Sequence, residues 1–223
     1  MLARPAGVVF DMDGLLLDSE RLAREAFDDA CRAIGVEVTP EVYARCIGSN
    51  RNDTAAILLE VVGSEAVYAE LDRHWEERYQ TRIETGAVAL KPGAVELLLA
   101  LESYGIPRAL ATSTARPRAT FKLERAGVIS HFSCLICGGE TDRGKPHPDP
   151  YLAAVTALGT TPSSSWALED SENGVRAARA AGLEVFQVPD LVAPSESLRG
   201  LGHRVVADLF EVLNELERAC AAG

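Results

Sequence analysis

The chain has 223 residues, 47% hydrophobic and 25% charged, enough for one sizeable core with a smaller domain beside it and too well mixed for a disordered segment. Its formal net charge of -11 opposes a nucleic-acid surface, which needs a basic stripe, and an anionic membrane for the same reason. No run of about 18 apolar residues is present, and the amino terminus lacks a secretory pattern, so a cytoplasmic protein is expected. The five cysteines are odd in number and scattered, as reduced thiols are. Cys134 and Cys137 make a CxxC, but in the strand-like "SCLICGG" positions three apart face opposite sides of a sheet, and no second CxxC completes a zinc site. They read as small buried hydrophobes.

The first predicted element lies in "GVVFDMDGLLLDSE", Gly7 to Glu20. Val8, Val9 and Phe10 suit a strand covered on both faces, and Asp11 and Asp13 follow at its carboxyl end. Spaced by two, these aspartates share one side while strand geometry lasts. In an effective dielectric near 20, two unit charges about 4 Å apart repel by about 4 kcal/mol, so a cation is required nearby. From about Leu16 to Leu90 helical periodicity runs without convincing strands: Asp18 to Ile34, Pro40 to Cys46 capped by Thr39, Asp53 to Val62, and Glu65 to about Ile83. An insertion of this size is too long for a loop and predicts a separate helical domain, hinged at Gly14 to Leu17 and Gly86 to Pro92.

From Lys91 strands and helices alternate. Strands are expected at Arg108 to Ser113, Cys134 to Gly139, Ser165 to Asp170 and Glu184 to Pro189, separated by helical stretches that each close on a glycine. This is an α/β pattern: five strands in a doubly wound, Rossmann-like parallel sheet, with "VVADLFEVLNELERA" as a closing helix. The expected division is 1–15 and 91–223 for this core and 16–90 for the inserted domain.

Ligands of such sheets bind outside the carboxyl ends of the strands, where strand order reverses. The polar residues collect there: Asp11 and Asp13 after strand one, "ATST" (Ala111 to Thr114) after strand two, Lys145 in "RGKPHPDPY" after strand three, and Glu169 and Asp170 in "LEDSENG" after strand four. Lysine occurs only at 91, 122 and 145, so a lysine in a Gly-Lys-Pro turn is pointed. Four carboxylates, a lysine and hydroxyls make a hard-oxygen site for Mg2+ with cationic help for a phosphate, and they put a carboxylate in the role of nucleophile. Asn173 can cap the helix after strand four and also steady the metal shell, and the hydroxyls of Thr112, Ser113 and Thr114 suit both the capping of the next helix and a phosphate at its amino terminus.

Taken together and in this order, "DMDGLLLDSE", "LATST", "GKPHPDPY" and "LEDSENG" resemble the haloacid dehalogenase superfamily, in its β-phosphoglucomutase-like branch with an inserted helical cap. The resemblance covers nearly the whole chain. It implies that Asp11 attacks phosphorus, that Asp13 protonates the leaving oxygen and then activates water, that Thr112 binds the phosphoryl group, and that Lys145 balances the charge. It implies Mg2+ held by Asp11, the main-chain carbonyl of Asp13, and Asp170, with Glu169 acting directly or through water. In the cap, "IGSNRND" places Arg51 in a polar loop facing an anionic substrate, and Arg116 is a similar candidate beside Ser113 and Thr114.

The expected activity is hydrolysis of small phosphorylated metabolites, sugar phosphates foremost, by a monomer without nucleic-acid or membrane partners. Phosphomutases of this branch carry a histidine where this chain has Ala23, and a phosphonate-cleaving relative needs a cap lysine where none precedes Lys91. A phospho-accepting signalling module places its acidic pair before the acceptor and has no inserted cap.

Overall fold

The computed structural model describes residues 2–47, 49, 51–86 and 88–222. Six parallel strands form one sheet: β1 (Gly7–Phe10), β2 (Arg108–Ala115), β3 (Cys134–Gly138), β4 (Ser165–Glu169), β5 (Glu184–Gln187) and β6 (Arg204–Val205), in the order β3-β2-β1-β4-β5-β6. The sheet has one strand more than expected, because two residues at β6 are too few to produce a period. β2 runs on to Ala115, two residues past the expected end at Ser113.

The chain winds outward from β1 through β2 to β3, then returns to the other side of β1 with β4. Strand order therefore reverses between β1 and β4, and their carboxyl ends open onto one crevice. Alternation along the strands feeds two apolar layers. Val8 and Phe10 join Trp166 and Leu168 on the face covered by α5 (Ala94–Ser103), α6 (Arg116–Arg125) and α10 (Leu209–Ala221). Val9 and Ala167 join the opposite layer, under α7 (Asp149–Ala157) and α8 (Glu172–Ala181). Cys134 and Cys137 fall on opposite faces of β3, one in each layer, and both are free thiols.

The inserted segment contributes α1 (Ser19–Ile34), α2 (Pro40–Cys46), α3 (Arg51–Val62) and α4 (Glu65–Thr85), which gather around their own apolar cluster of Phe27, Tyr43, Leu58 and Leu71. Trp75 meets Phe27 edge to face at 4.9 Å and anchors α4 to α1 by donating its indole N–H to the Ala23 carbonyl at 3.0 Å. The two connections to the sheet lie side by side: Leu17 bridges Leu90, the Asp18 amide donates to the Ala89 carbonyl at 2.8 Å, and the Lys91 amide donates to the Leu16 carbonyl at 2.9 Å. Among the described residues no helix is long and apolar enough to cross a membrane.

Candidate active site

The carboxyl ends of β1 and β4 bring Asp11, Glu169 and Asp170 together, with one carboxylate oxygen of each within 4.8 Å of the others and all three residues buried. Lys145, 7% exposed, reaches in from the loop after β3 and places its Nζ 2.6 Å from Asp11 Oδ1 and 2.5 Å from Glu169 Oε1. Burial pushes the Asp11 carboxyl up to about 8, with Lys145 opposing and the charge of Glu169 adding to the rise. Asp170 is pushed well above the ordinary range by burial and by Asp11 and Glu169 beside it. Burial works against the Lys145 ammonium as well, but its two carboxylates outweigh that and hold it firmly charged.

Glu169 is saturated. Its Oε1 accepts from Lys145 and from the Tyr151 hydroxyl at 2.6 Å, and its Oε2 accepts from the Asp170 amide, the Ser171 amide and the Ser171 hydroxyl at 3.1 to 3.3 Å. Ser171, not Asn173, is the N-cap of α8, its oxygen accepting from the Gly174 amide at 3.2 Å. With Glu169 fully occupied, Asp11 and Asp170 are the carboxylates left facing the crevice. Three clustered carboxylates against one lysine leave net negative charge on hard oxygen donors, so the residues fit a small divalent cation.

Asp13 lies apart from this cluster. Its Oδ1 accepts from the Ser19 hydroxyl at 2.5 Å and from Lys122 at 2.7 Å, and its Oδ2 accepts from the Thr114 hydroxyl at 2.7 Å. Burial alone would raise this carboxyl, but Lys122 and the two hydroxyls hold it below the usual range.

Thr112 is buried at the crevice, with its hydroxyl accepting from the Thr114 amide at 3.1 Å. The hydroxyls of Thr112, Ser113 and Thr114, in the last residues of β2, line the cavity and do not cap α6, whose N-cap is Ala115 without a side-chain bond. A cavity of about 870 Å3 extends from Asp11, Asp13, Lys145 and Asp170 up between sheet and insertion, past Thr112, Ser113 and Thr114 to Arg51. Arg51 departs from its expected loop: it is the first residue of α3 and pairs with Asp72 of α4 at 2.8 Å. Arg116 does not line this cavity. Its guanidinium grips Glu140 at 2.5 and 2.8 Å and donates to the Leu135 carbonyl, and the arginine that reaches the cavity from α6 is Arg118. Gly48 and Asn50 of the same sequence stretch lie outside the described residues.

Lys122, Tyr151 and Ser19 also reach these carboxylates, and none of the three carries a role from sequence alone. Tyr151 and Ser19 sit inside the quoted motifs, so their positions were in view; Lys122 lies in a helix that reads as ordinary charged surface.

A carboxylate crevice at the switch point of a doubly wound sheet, with a buried lysine, strand-end hydroxyls and a helical insertion overhead, defines a class of α/β enzyme that moves phosphoryl groups. The chain belongs to the haloacid dehalogenase-like hydrolase family, whose sequence pattern matches residues 8–188. It is 30% identical to a phosphorylated carbohydrates phosphatase of Thermotoga maritima over 94% of this chain and 97% of that one. It is 35% identical to protein CbbY of Rhodobacter capsulatus over 86% of this chain and 87% of the other. A crystal structure of a CbbY variant from Rhodobacter sphaeroides in complex with xylulose-(1,5)bisphosphate superimposes with a TM-score of 0.74 at 27% identity, covering 93% of this chain and 96% of that one.

Proposed function

We propose that this protein is a Mg2+-dependent phosphatase of small phosphorylated metabolites, sugar phosphates foremost, working through an aspartyl-phosphate on Asp11. The observation that carries the reading is the position of Asp11, which lies on the floor of the cavity beside Lys145 and Asp170, while Asp13 two residues on has a separate set of donors. Residues 1–15 and 91–223 act as the catalytic core and 16–90 as the cap, a division supported by the separate apolar cluster of the insertion. The names of the Thermotoga and CbbY relatives support a sugar phosphate as substrate. A cytoplasmic monomer remains the working expectation.

In this reading an oxygen of Asp11 attacks phosphorus, the bond from phosphorus to the leaving oxygen breaks, and that oxygen takes a proton from Asp13. Water then attacks the aspartyl-phosphate, gives its proton to Asp13, and inorganic phosphate leaves as the bond to Asp11 breaks. Thr112, Ser113 and Thr114 line the place where the phosphoryl oxygens sit, and Lys145 offsets their charge. Asp11, the Asp13 carbonyl and Asp170 would hold Mg2+, with Glu169 behind them. Bound there, the ion supplies charge stabilisation to the transferring group. Arg51 lies at the cap end of the cavity, within the space a substrate would occupy.

A phosphomutase is the competing reading, since Arg51 and Arg118 both line the cavity and suit a second phosphate. Ala23 argues against it: the side chain that lines the cavity there can neither donate nor accept a hydrogen bond. The deciding experiment supplies β-glucose 1-phosphate with a trace of the 1,6-bisphosphate and follows glucose 6-phosphate and free phosphate together. Phosphate release is expected to dominate, and isomerisation far outrunning it would overturn the reading.

A further inference from the structure

Lys122 is a lysine with 2% of its side chain exposed, on a helix whose other basic residues reach solvent or the rim of the cavity. Its Nζ lies 2.7 Å from Asp13 Oδ1, 109 residues away in the chain, and 5.0 Å from the centre of the Tyr79 ring on cap helix α4. One turn earlier on α6, Arg118 pairs with Glu76 on the same cap helix, with a second contact at 3.3 Å. Helix α6 of the core therefore offers two cations spaced i, i+4 to an acid and an aromatic ring spaced i, i+3 on α4. A buried ammonium is costly, and an apolar side chain would fill the same space between α6 and α4 without that cost. What the ammonium adds is a fixed partner for one particular oxygen.

That oxygen is informative. A carboxylate oxygen has two good acceptor directions, and Asp13 Oδ1 has filled both, with Ser19 and Lys122. Oδ2 has filled one, with Thr114, and keeps the other. We propose that Lys122 is a positioning residue for the reaction: it pins Oδ1 of Asp13 so that Oδ2 is the oxygen that exchanges a proton with the leaving group and with water, and through Tyr79 it makes that placement depend on the seating of the cap. The inference rests on the phosphatase reading above, in which Asp13 has this part.

The test separates the two halves of the reaction. 4-Nitrophenyl phosphate loses a leaving group that needs no proton, so the first step makes little demand on Asp13, whereas hydrolysis of the aspartyl-phosphate needs it as base. With saturating Mg2+, Lys122→Met is expected to lower kcat by about 10- to 100-fold with KM falling alongside it, so that kcat/KM changes by less than about threefold, and to show a pre-steady-state burst of nitrophenol because phosphoenzyme accumulates. Lys122→Arg is expected to recover part of the loss. Tyr79→Leu, which removes the ring facing the Lys122 ammonium, should move the same ratio of rates in the same direction by a smaller factor. If Lys122→Met does not fold, the other two variants decide, and wild-type kcat without a burst in both overturns the proposal. So does a Lys122→Met enzyme with unchanged kcat, or one whose burst and steady-state rates fall in equal proportion. A wild-type enzyme that releases no nitrophenol overturns the phosphatase reading and this inference with it; an active wild type with an unaffected variant overturns the inference alone.

Discussion

Asp11 and Asp13 stand two residues apart at the end of one strand and share no cation: Lys145 serves the first at 2.6 Å and Lys122 the second at 2.7 Å. The repulsion expected between the two carboxylates is thus met by two lysines arriving from different elements. Asp11, with a rival carboxylate on the same lysine, is driven up, and Asp13, with three donors to itself, is driven down. These are the directions of the site without its cation and they run against the proposed roles, so a divalent ion on Asp11 would have to bring that carboxyl down, and Asp13 draws its proton against three donors.

The two aspartates should therefore fail differently. Asp11→Asn is expected to lose phosphoenzyme formation with any donor, a drop of about a thousandfold or more in turnover, because an amide does not attack phosphorus. Asp13→Asn should still be phosphorylated by an activated aryl phosphate and stall before release. Acid-quench trapping of the labelled enzyme distinguishes them, and a labelled Asp11→Asn protein would show the roles misassigned.

Metal binding should depend on Asp170 more than on Glu169, because the oxygens of Glu169 are already occupied by five donors. Asp170→Asn is expected to weaken Mg2+ binding at least about tenfold by calorimetry and to abolish most of the rise in melting temperature that Mg2+ gives the wild type. Excess chelator should remove turnover in the wild type. Activity that persists in chelator would overturn the metal assignment.

Gly174 lies against the base of the site. A Cβ there would fall 1.8 Å from Glu169 Oε1, so the helix can pass this carboxylate only without a side chain. Gly174→Ala should displace Glu169, loosen Lys145 with it, and cost about 3 kcal/mol or more of stability, read by chemical denaturation. A variant of wild-type stability and turnover would refute the packing argument.

Glu20 gives a pH-dependent test. Burial beside the cavity, and then the charge of Asp13, push its carboxyl from the usual 4.5 up to about 7. A folded-state value above the unfolded one means that the folded protein holds the proton more tightly, so this contribution to stability is full below 4.5 and is lost as pH rises through 7. Glu20→Gln imitates the neutral form. Without metal, its melting temperature should match the wild type near pH 4.5 and exceed it at pH 8.5, by about 2–4 °C for each ~1 kcal/mol recovered. An equal offset at both pH values would contradict the shift.

Much of this was legible in the one-dimensional chain, for reasons that are local. Alternating apolar runs and glycine-stopped helices specify βαβ units, and consecutive right-handed units leave little choice of sheet, so Asp11, Thr112, Glu169 and Asp170 could be placed at strand ends, and Lys145 in the loop after β3, from spacing alone. The insertion was visible because helical periodicity interrupts that rhythm. Local signals fell short where a neighbour decided: Ser171 took the capping place open to Asn173, the hydroxyls of β2 faced the site as expected but did not cap α6, and Arg116 turned away to Glu140.

By itself, then, the sequence determined which chemical groups stand at the ends of which strands, since periodicity and turn chemistry operate within one or two dozen neighbouring residues. Which cation meets which carboxylate was decided only by the tertiary structure. Lys122 belongs to "RPRATFKLERAG", where no local pattern separates it from the arginines that reach solvent. It becomes a buried partner of Asp13 because folding lays α6 against the end of β1 on one side and cap helix α4 on the other. Burial is a property of that three-way contact, and burial is what turns a surface charge into an obligatory ion pair.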